Sequence, residues 1–389
     1  MKKGKIIYIA NARIPTEKAH GTTIIKSCES LAEAGFDVEL VVPRRKNKHP
    51  TNEAFSFYNA KRNFKITSLP TLDIFNLEKY IGRLAFWIEN YSFYFFVFFK
   101  MLFAGRKTTV YSRDIPALFL KFYFLKVIYE CHHLPRSNAV FFKIAGLADK
   151  IIVISNQLKE SFLRAGFSSK RILVAPSGVD LGIFKSDLSK EKAREKLNLP
   201  KDKKIIAYTG NFKTFGMEKG ILNIIESLSV LPKDVIFAAV GGKKEDVDFY
   251  KKITENKNLQ ERVLLEGHVT QQKLAIYQRA ADVLLMPFPD TRHYREHMSP
   301  VKMFEYMASG RPIIASDLPT IREVLNDNNA VIIPPDNSRL LSEAISKILQ
   351  NPEIGERLAA EAVKEVEKYS WQNRAKKILD FIDDVEREK

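Results

Sequence analysis

The stretch SPVKMFEYMASGRPIIASD, residues 299–317, predicts a helix followed by a buried strand. Ser299 is a good N-cap residue, and Pro300 suits the first helical position. Gly310, followed closely by Pro312, predicts the end of the helix, and the run PIIASD is typical of a strand. The free amides at the start of such a helix can bind a phosphate, so this stretch indicates an α/β fold with an anion-binding position.

Two interpretations of the polar stripe of this helix remain open. A spacing of three residues places Lys302 and Glu305 on one stripe, beside a stripe of apolar side chains that should pack. The two residues could form a solvated ion pair on a surface helix. Alternatively, Glu305 lies about one turn into the helix, where its carboxylate could reach the hydroxyl groups of a sugar.

Short apolar runs alternate with helical patterns along the whole chain. The runs that predict strands are KIIYIA, DVELVVP, TTVYSR, KVIYECHH and KIIVIS in the first half, and KIIAYTG, VIFAAVGG, RVLLEGHV, DVLLMPF and RPIIASD in the second. Continuous apolar strands that alternate with helices are typical of parallel sheets buried on both faces. Because about ten strands are too many for one compact sheet at this length, the sequence predicts an α/β fold with two Rossmann-like domains.

The domain boundary is predicted where turn residues and charges cluster, between residues 168 and 204. We expect residues 1–171 to form the N-terminal domain and residues 172–370 the C-terminal domain. Residues 371–389 predict a long amphipathic helix. Open α/β sheets bind ligands beyond the carboxyl ends of their strands, so we expect the site in a central cleft that the two domains face.

The positive charge of the chain is concentrated in its first half. The net charge is +16, and residues 1–171 hold 28 Lys and Arg against 13 Asp and Glu, a balance of +15. A basic half predicts an anionic partner, which could be a lipid surface, a phosphorylated acceptor or a nucleic acid, although the charge could also serve solubility alone. Cys28 and Cys131 form no CxxC pair, and the N-terminal apolar run IIYIA is short for a secretory signal, so a reducing cytoplasmic location is expected.

An aromatic run, WIENYSFYFFVFFKMLFAGRK, spans residues 87–107. Its longest uncharged part, residues 90–99, is about half of the roughly 18 residues that cross a bilayer. It could be a buried core helix or a segment at a membrane surface, and the two interpretations are compatible if opposite faces serve each. Aromatic and basic residues together favour the headgroup zone. The basic residues that flank the run are Arg83, Lys100, Arg106 and Lys107.

The extended stretch SPVKMFEYMASGRPIIASDLPTIREVL resembles the donor-binding signature of family 4 (group 1) retaining glycosyltransferases, which have the GT-B fold. Other segments match in the expected order: HGTTIIKSCESLAEAGFDVELVVP, ADKIIVISNQLKESF, VAPSGVDLGIF, YTGNFKTFGMEKGILNIIESL, AAVGG and LLEGHVTQQKLAIYQRAADVLLMPF. The resemblance implies that the C-terminal helix crosses back to the N-terminal domain. It also implies a nucleotide-sugar donor on the C-terminal domain and an acceptor on the N-terminal one.

The resemblance implies catalytic roles for three residues. Glu305 is similar to the glutamate that accepts hydrogen bonds from the ribose hydroxyls. Lys219 is similar to the lysine that neutralises the leaving diphosphate, a role in which a fixed cation stabilises developing charge. His132 is similar to the histidine that faces the donor sugar, although its neighbour His133 could take that position. The resemblance further implies a donor and phosphate group of Gly21, Asn211, Lys213, Ser299, Pro300, Val301 and Lys302, and a base-binding group of Gly267, His268 and Val269.

Two departures from the family pattern concern the sugar and the phosphates. His297, with Glu296 beside it, stands where the family usually has a glutamate that contacts the sugar, so both are candidate sugar-binding residues. Asn211 stands where the family usually has an arginine. The candidates for the missing charge are Lys213, Arg295 and Lys302.

The resemblance therefore implies a hexosyltransferase that moves a sugar from UDP or GDP to a glycan or lipid-linked acceptor, in cell-surface polysaccharide or glycolipid synthesis. We expect no metal, no other cofactor and no nucleic acid, and peripheral contact of the basic, aromatic N-terminal domain with an anionic membrane. The expected location is cytoplasmic, at the inner face of the cell membrane. The alternative functions are a nucleotide-sugar epimerase of the same fold and a basic nucleic-acid-binding protein.

Overall fold

The computed structural model, which describes residues 3–105, 107–123, 125–135 and 139–387, divides into two units. The first comprises the residues up to Pro176 together with those from Trp371 onward, and the second is Ser177–Ser370. The structure thus moves the predicted boundary from residue 171 to Pro176. The reason is that Ile172–Val174 pairs with Lys150–Val153 and completes the first sheet.

The first unit is built on one parallel sheet. Its strands in the described ranges are β1 Lys5–Ile9, β2 Asp37–Pro43, β3 Lys65–Leu69, β4 Thr108–Ser112, β5 Lys126–Cys131, β6 Lys150–Val153 and β7 Ile172–Val174. Their spatial order is β3-β2-β1-β4-β5-β6-β7. In β1, Ile7 and Ile9 enter the core on one face, and Ile6 and Tyr8 enter the core on the other. Burial on both faces explains why the central strands are continuous apolar runs.

Helices cover this sheet, and one of them comes from the end of the chain. The helices are α1 Ala19–Glu33, α2 Ala54–Phe57, α3 Glu78–Ile81, α4 Arg83–Met101, α5 Ala139–Ala145, α6 Asn156–Arg164 and, last in the chain, α17 Trp371–Arg387. The apolar stripe of α17 consists of Ala375, Ile378, Leu379 and Ile382, which join the core that contains Ile24 and Cys28 of α1. The predicted C-terminal helix of the first unit is therefore confirmed.

Helix α4 presents apolar side chains on two faces. Phe93, Tyr94, Val97 and Met101 are buried in the core. The opposite side carries Leu84, Trp87, Tyr91, Phe95 and Phe99, each between 48% and 66% exposed, which we term the aromatic face. The core interpretation of the aromatic run is thus confirmed for one face of this helix, and the other face is exposed. Arg106, one of its flanking basic residues, lies outside the described residues.

The second unit contains a similar parallel sheet. Its strands, in the part of the chain that the structure describes, are β8 Lys204–Thr209, β11 Val235–Gly242, β12 Val263–Gly267, β13 Val283–Met286, β14 Ile313–Ser316 and β15 Val331–Ile333, and a separate hairpin is formed by β9 Lys213–Thr214 and β10 Met217–Glu218. The order in the sheet is β12-β11-β8-β13-β14-β15. In β8, Ile205 and Ala207 enter one core, whereas Ile206 and Tyr208 enter the other.

The helices of the second unit flank both faces of its sheet. They are α7 Leu181–Phe184, α8 Lys190–Lys196, α9 Ile221–Ser227, α10 Lys244–Asn256, α11 Gln271–Ala280, α12 Arg292–Glu296, α13 Val301–Ser309, α14 Pro319–Arg322, α15 Ser338–Gln350 and α16 Pro352–Val366. With two parallel sheets each covered by helices, the predicted fold of two Rossmann-like units is confirmed. No helix in the described ranges is both long and apolar enough to cross a membrane.

Candidate functional site

The strand order of the second sheet changes at β8. β11 lies on one side of β8 and β13 on the other, and ligands of open α/β sheets bind where the order reverses in this way. Gly210 and Asn211 follow β8, and Pro287 follows β13. Gly220 packs against this edge with φ +90°, and a Cβ there would lie 1.9 Å from the Pro287 carbonyl oxygen. Glycine at this position lets the backbone beside Lys219 approach the sheet edge closely.

The entry to helix α13 differs from the prediction in one respect. The helix begins at Val301 with Pro300 as its N-cap, so Ser299 is not the capping residue. The Ser299 hydroxyl instead accepts a hydrogen bond from the Ser177 amide at 2.8 Å, and the Ser299 carbonyl accepts one from the Ser177 hydroxyl. Ser299 therefore fixes the turn before the helix. The predicted end of the helix is confirmed, because Gly310 is its left-handed C-cap.

Glu305 is buried and only 7% exposed, which contradicts the interpretation of a solvated surface pair. Its carboxylate accepts a hydrogen bond from Gln278 Nε2 at 3.3 Å, and the same amide donates to Thr209 Oγ1 at 3.0 Å. Burial raises the pKa of Glu305 to about 7, against the lowering effects of Gln278 and Lys302. A carboxylate so poorly solvated gains from any hydroxyl donors that a ligand brings.

Lys302 is also buried, and its ammonium makes no hydrogen bond with any described residue. The Nζ atom lies 3.3 Å from the centroid of the Tyr208 ring, a cation–π contact. It also lies 3.6 Å from the point where a Cβ on Gly210 would be. Burial and then the Lys219 charge lower the pKa of Lys302 well below its ordinary value, whereas Glu305 raises it. The environment therefore favours an anion beside this side chain.

Lys219 follows β10 and precedes α9. The preceding residue, Glu218, holds this turn, because its carboxylate accepts hydrogen bonds from the amides of Gly220 and Ile221 at the start of α9. No ion pair joins Lys219 to any residue that the structure describes, and burial lowers its pKa to about 8. Burial thus disfavours the charged form of both lysines, and the Lys219 charge disfavours that of Lys302 further.

The three candidates for the missing arginine charge differ in their partners. Lys213 pairs with Asp246 at 3.3 Å, and its Nζ lies 4.4 Å from the centroid of the Phe249 ring. Arg295 pairs with Asp290 at 3.2 Å on a half-exposed surface. Lys302, buried and without a hydrogen bond to a described residue, is the candidate best placed for a ligand. At the Asn211 position the backbone carbonyl accepts a hydrogen bond from the Tyr208 hydroxyl at 3.0 Å.

The two candidate sugar-binding residues follow one another at the end of α12. The Glu296 carboxylate accepts a hydrogen bond from Arg292 Nε at 3.0 Å. His297 is buried, and its Nε2 lies 3.6 Å from Glu296 Oε2. A histidine can donate or accept a hydrogen bond here, whereas the family's glutamate only accepts at neutral pH.

The candidate base-binding residues lie at the end of β12 and in the loop after it. Gly267 is the last residue of the strand, and His268 is exposed in the loop that leads to α11. Val269 is half-buried and packs on the core of the second unit. No group of three or more His, Cys, Asp or Glu that could hold a metal occurs among the described residues.

The other two predicted residues lie in the first unit. His132 follows β5 and its Nε2 lies 2.6 Å from Glu130 Oε1, whereas His133 is exposed, so His132 is the better-held histidine. Gly21 lies in the first turn of α1, where a Cβ would be 2.1 Å from the Tyr58 hydroxyl. Packing against Tyr58 is thus a sufficient reason for glycine at position 21.

Several site residues were not predicted from the sequence. They are Gln278 and Thr209 around Glu305, Tyr208 under Lys302, and Glu130 beside His132. Gln278 lies within an ordinary helical pattern and gives no local signal. Glu130 does give one, since an ionisable residue inside an apolar strand needs a partner.

Two family descriptions match successive parts of the chain. Glycosyl transferases group 1 matches residues 189–365, and Glycosyltransferase Family 4 matches residues 21–182. Among curated relatives, a D-inositol 3-phosphate glycosyltransferase of Xylanimonas cellulosilytica is 27% identical over 61% of this chain and 57% of its own length. The putative teichuronic acid biosynthesis glycosyltransferase TuaC of Bacillus subtilis is 27% identical over 58% of this chain and 54% of its own. The alignments therefore span little more than half the length of these relatives.

Solved structures resemble the chain over nearly all its length. Sucrose-phosphate synthase from Thermosynechococcus elongatus has a TM-score of 0.76 with 20% identity, covering 100% of both chains. HepE from Anabaena, solved in complex with UDP, has a TM-score of 0.74 with 15% identity, covering 98% of this chain and 100% of its own. At these identities the likeness shows the fold.

The two family matches, the fold and the relatives give one assignment. The chain belongs to the family 4, group 1 glycosyltransferases and has the GT-B fold. This assignment does not favour the alternatives of an epimerase or a nucleic-acid-binding protein.

Proposed function

We propose that this protein transfers a sugar from a UDP- or GDP-sugar to a glycan or lipid-linked acceptor with retention of the anomeric configuration. The observation that carries the donor assignment is the presence of half-buried Lys219 and buried Lys302, which make no ion pair with a described residue, near buried Glu305. Keeping a lysine charged in such an environment is costly unless an anion lies beside it. A nucleoside diphosphate supplies anionic oxygens for both lysines and ribose hydroxyls for Glu305.

The roles of the site residues follow from this assignment. Negative charge builds on the leaving diphosphate as the glycosidic bond breaks, and the Lys219 and Lys302 cations stabilise it. Asn211 stands where the family usually has an arginine, and in this proposal Lys302 supplies the positive charge of that arginine. The amides at the start of α13 contact the diphosphate, and Glu305 orients the ribose. Retention is proposed from the family resemblance, as are the sugar contacts of His132, His297 and Glu296 and the base contacts of Gly267, His268 and Val269.

A panel of donors tests the proposal. We expect one of UDP, GDP or ADP, alone or as its sugar, to raise the melting temperature of the full chain, because a ligand at about 100 times its Kd stabilises the folded state by about 2.7 kcal/mol. The stabilising sugar nucleotide should then be hydrolysed slowly, and the sugar should be transferred when a membrane lipid extract is added. HepE is described in complex with UDP-glucose, which makes UDP-glucose the first donor to test. Absence of stabilisation by every member of the panel at millimolar concentration would contradict the donor assignment.

The acceptor part of the proposal places the first unit at an anionic membrane surface, at the inner face of the cell membrane. The aromatic face of α4 leaves five large apolar side chains in solvent, which is unusual for a surface helix. Phe122, in the 3-10 helix Ile115–Tyr123 that packs on α4, is 67% exposed as well. Trp, Tyr and Phe side chains suit the headgroup zone, and the +15 balance of residues 1–171 complements anionic lipid. A polysaccharide or glycolipid precursor held in that membrane would then be the acceptor.

Mutation of the aromatic face should release the protein from vesicles. In sedimentation with vesicles of one-third phosphatidylglycerol, we expect wild type to bind. The variant Tyr91→Ser/Phe95→Ser/Phe99→Ser should lose about tenfold or more in partition coefficient for each replaced side chain that enters the membrane, since a buried aromatic contributes about 1.5 kcal/mol or more. The control is Leu222→Ser/Val230→Ser, which removes exposed apolar side chains from the second unit. Equal binding of the two variants would contradict the proposed surface. Self-association of wild type without vesicle binding would instead assign the face to a second copy of the chain.

A further inference from the structure

The carboxylate of Glu130 lies at the centre of a buried polar group in the first unit. Its Oε1 is 2.6 Å from His132 Nε2 and 3.0 Å from Arg374 Nη2, and its Oε2 accepts a hydrogen bond from the Tyr111 hydroxyl. Glu130 is fully buried in β5. Although burial acts to raise it, the Arg374 charge and the His132 hydrogen bond hold the pKa of Glu130 well below its ordinary range. The carboxylate is thus ionised and can only accept hydrogen bonds.

An ionised Glu130 determines which nitrogen of His132 carries the proton. Burial, and then the charge of Arg113, lowers the pKa of His132 to about 4, so the ring is neutral at neutral pH. A neutral imidazole has a single N–H, and the short contact to an acceptor requires that this N–H be on Nε2. Nδ1 is consequently left with a lone pair, as a hydrogen-bond acceptor.

Arg374 supplies the charge that keeps Glu130 ionised, and it comes from the C-terminal helix α17. Its guanidinium is buried and donates to the carbonyls of Pro176 at 2.8 Å and Ala175 at 3.3 Å as well as to Glu130. These carbonyls lie just after β7, so Arg374 is held from two sides. The position and charge of Glu130 therefore depend on a residue more than 200 positions away in the sequence.

We infer that Glu130 and Arg374 are positioning residues for His132, which they hold with Nδ1 as the acceptor for a hydroxyl group of the bound sugar. The inference rests on the proposed function for the identity of that ligand. Loss of the pair would let the ring rotate and exchange tautomers, so that Nδ1 carried the proton part of the time. An N–H in that position cannot accept the hydroxyl proton, and the sugar would lose its orientation.

Nitrogen NMR of the full chain labelled with ¹⁵N-histidine tests the inference without a substrate. We expect the His132 signals, identified by their loss in His132→Gln, to show an unprotonated Nδ1 and a protonated Nε2 from pH 8 down to about pH 5. The double variant Glu130→Leu/Arg374→Met removes both charges together, which avoids an unpaired buried ion. In it we expect the averaged signals of a mixture of tautomers. We also expect kcat for transfer to fall about tenfold to a hundredfold, which is the range seen when partners that orient metal-bound histidines are removed. The Kd for the nucleoside diphosphate should change little.

The matched control is Lys26→Met/Glu29→Leu, which removes another buried ion pair of the first unit, 2.9 Å apart. It should alter the melting temperature without altering the His132 signals. The single variant Arg374→Lys keeps the positive charge beside Glu130. In it, His132 should largely keep its proton on Nε2. A protonated Nδ1 in wild type, or unchanged signals and kcat in the folded double variant, would overturn the inference. Absence of transfer by wild type with the expected tautomer would count against the proposed function and leave the ring assignment standing.

Discussion

Replacing Lys219 by alanine should lower kcat for sugar transfer by about 10²–10³, the loss found when one preorganised group that stabilises developing negative charge is removed. The reason is the position of Lys219 in a turn fixed by Glu218 and Gly220, where its poorly solvated ammonium makes no ion pair with a described residue. The Kd for the nucleoside diphosphate should rise less than kcat falls, because the charge matters most as the bond to the sugar breaks. Steady-state kinetics and calorimetric titration separate the two effects.

The pH dependence of kcat/KM in the wild type gives a second measurement. Burial lowers the pKa of Lys219 to about 8, so the free enzyme holds the cation below pH 8 and loses it above. We therefore expect kcat/KM to decrease as pH rises through about 8, and Lys219→Arg to shift this decrease to higher pH. The control Lys185→Ala removes an exposed lysine that pairs with Glu367, and it should behave as wild type. A kcat in Lys219→Ala within a few-fold of the control would contradict the role assigned to Lys219.

Replacing Glu305 by alanine should weaken donor binding by about two orders of magnitude. The carboxylate is buried beside Gln278 with capacity to accept further hydrogen bonds, and each hydrogen bond to a charged group is worth about 1.5–3 kcal/mol, or about tenfold or more in Kd. Glu305→Gln should lose less, because an amide oxygen still accepts one hydroxyl. A nucleotide that lacks the ribose 2′-hydroxyl should bind the wild type more weakly than the ribonucleotide does. The Glu305→Ala variant should bind the two nucleotides with the same Kd, and calorimetric titration would measure both values.

Donor binding should also depend on the protonation state of Glu305. Burial raises its pKa to about 7, so the acceptor form predominates above pH 7 and the carboxylic acid below. We expect the Kd for the nucleoside diphosphate to improve as pH rises through about 7 in wild type and to lose this dependence in Glu305→Gln. The control Glu343→Gln alters an exposed residue that pairs with Arg339. If the two variants bind the donor equally, Glu305 does not contact it.

The sequence predicted those parts of the fold that depend on local pattern. The central strands are continuous apolar runs, and Gly310 marks the end of α13 through its left-handed backbone. The edge strands β3, β7 and β15 were missed, because β3 is only half-buried and β7 and β15 have three residues each. The N-cap of α13 was placed at Ser299, yet that hydroxyl accepts from Ser177, a contact between distant positions that no local pattern contains.

The motif residues of the candidate site were predicted from the sequence, but the residues that surround them were not. Lys219, Glu305 and Lys302 lie in recognisable segments, and their burial, which sets their charge states, comes from packing of the whole second unit. Arg374 illustrates the limit, because a charged residue in an amphipathic helix ordinarily faces solvent. Only the position of α17 over the first sheet brings its guanidinium to Glu130.

The assembly of the first unit from both ends of the chain has a consequence for biosynthesis. The second unit begins and ends at neighbouring points, since Val179 forms a parallel bridge with Ser370. It is therefore arranged as an insertion whose sequence is contiguous and which can complete its core while still attached to the ribosome. The first unit cannot do so, because Glu130 remains a buried anion without its counter-charge until residues 371–387 have been synthesised. The apolar surface of the first unit that α17 covers stays exposed for that interval.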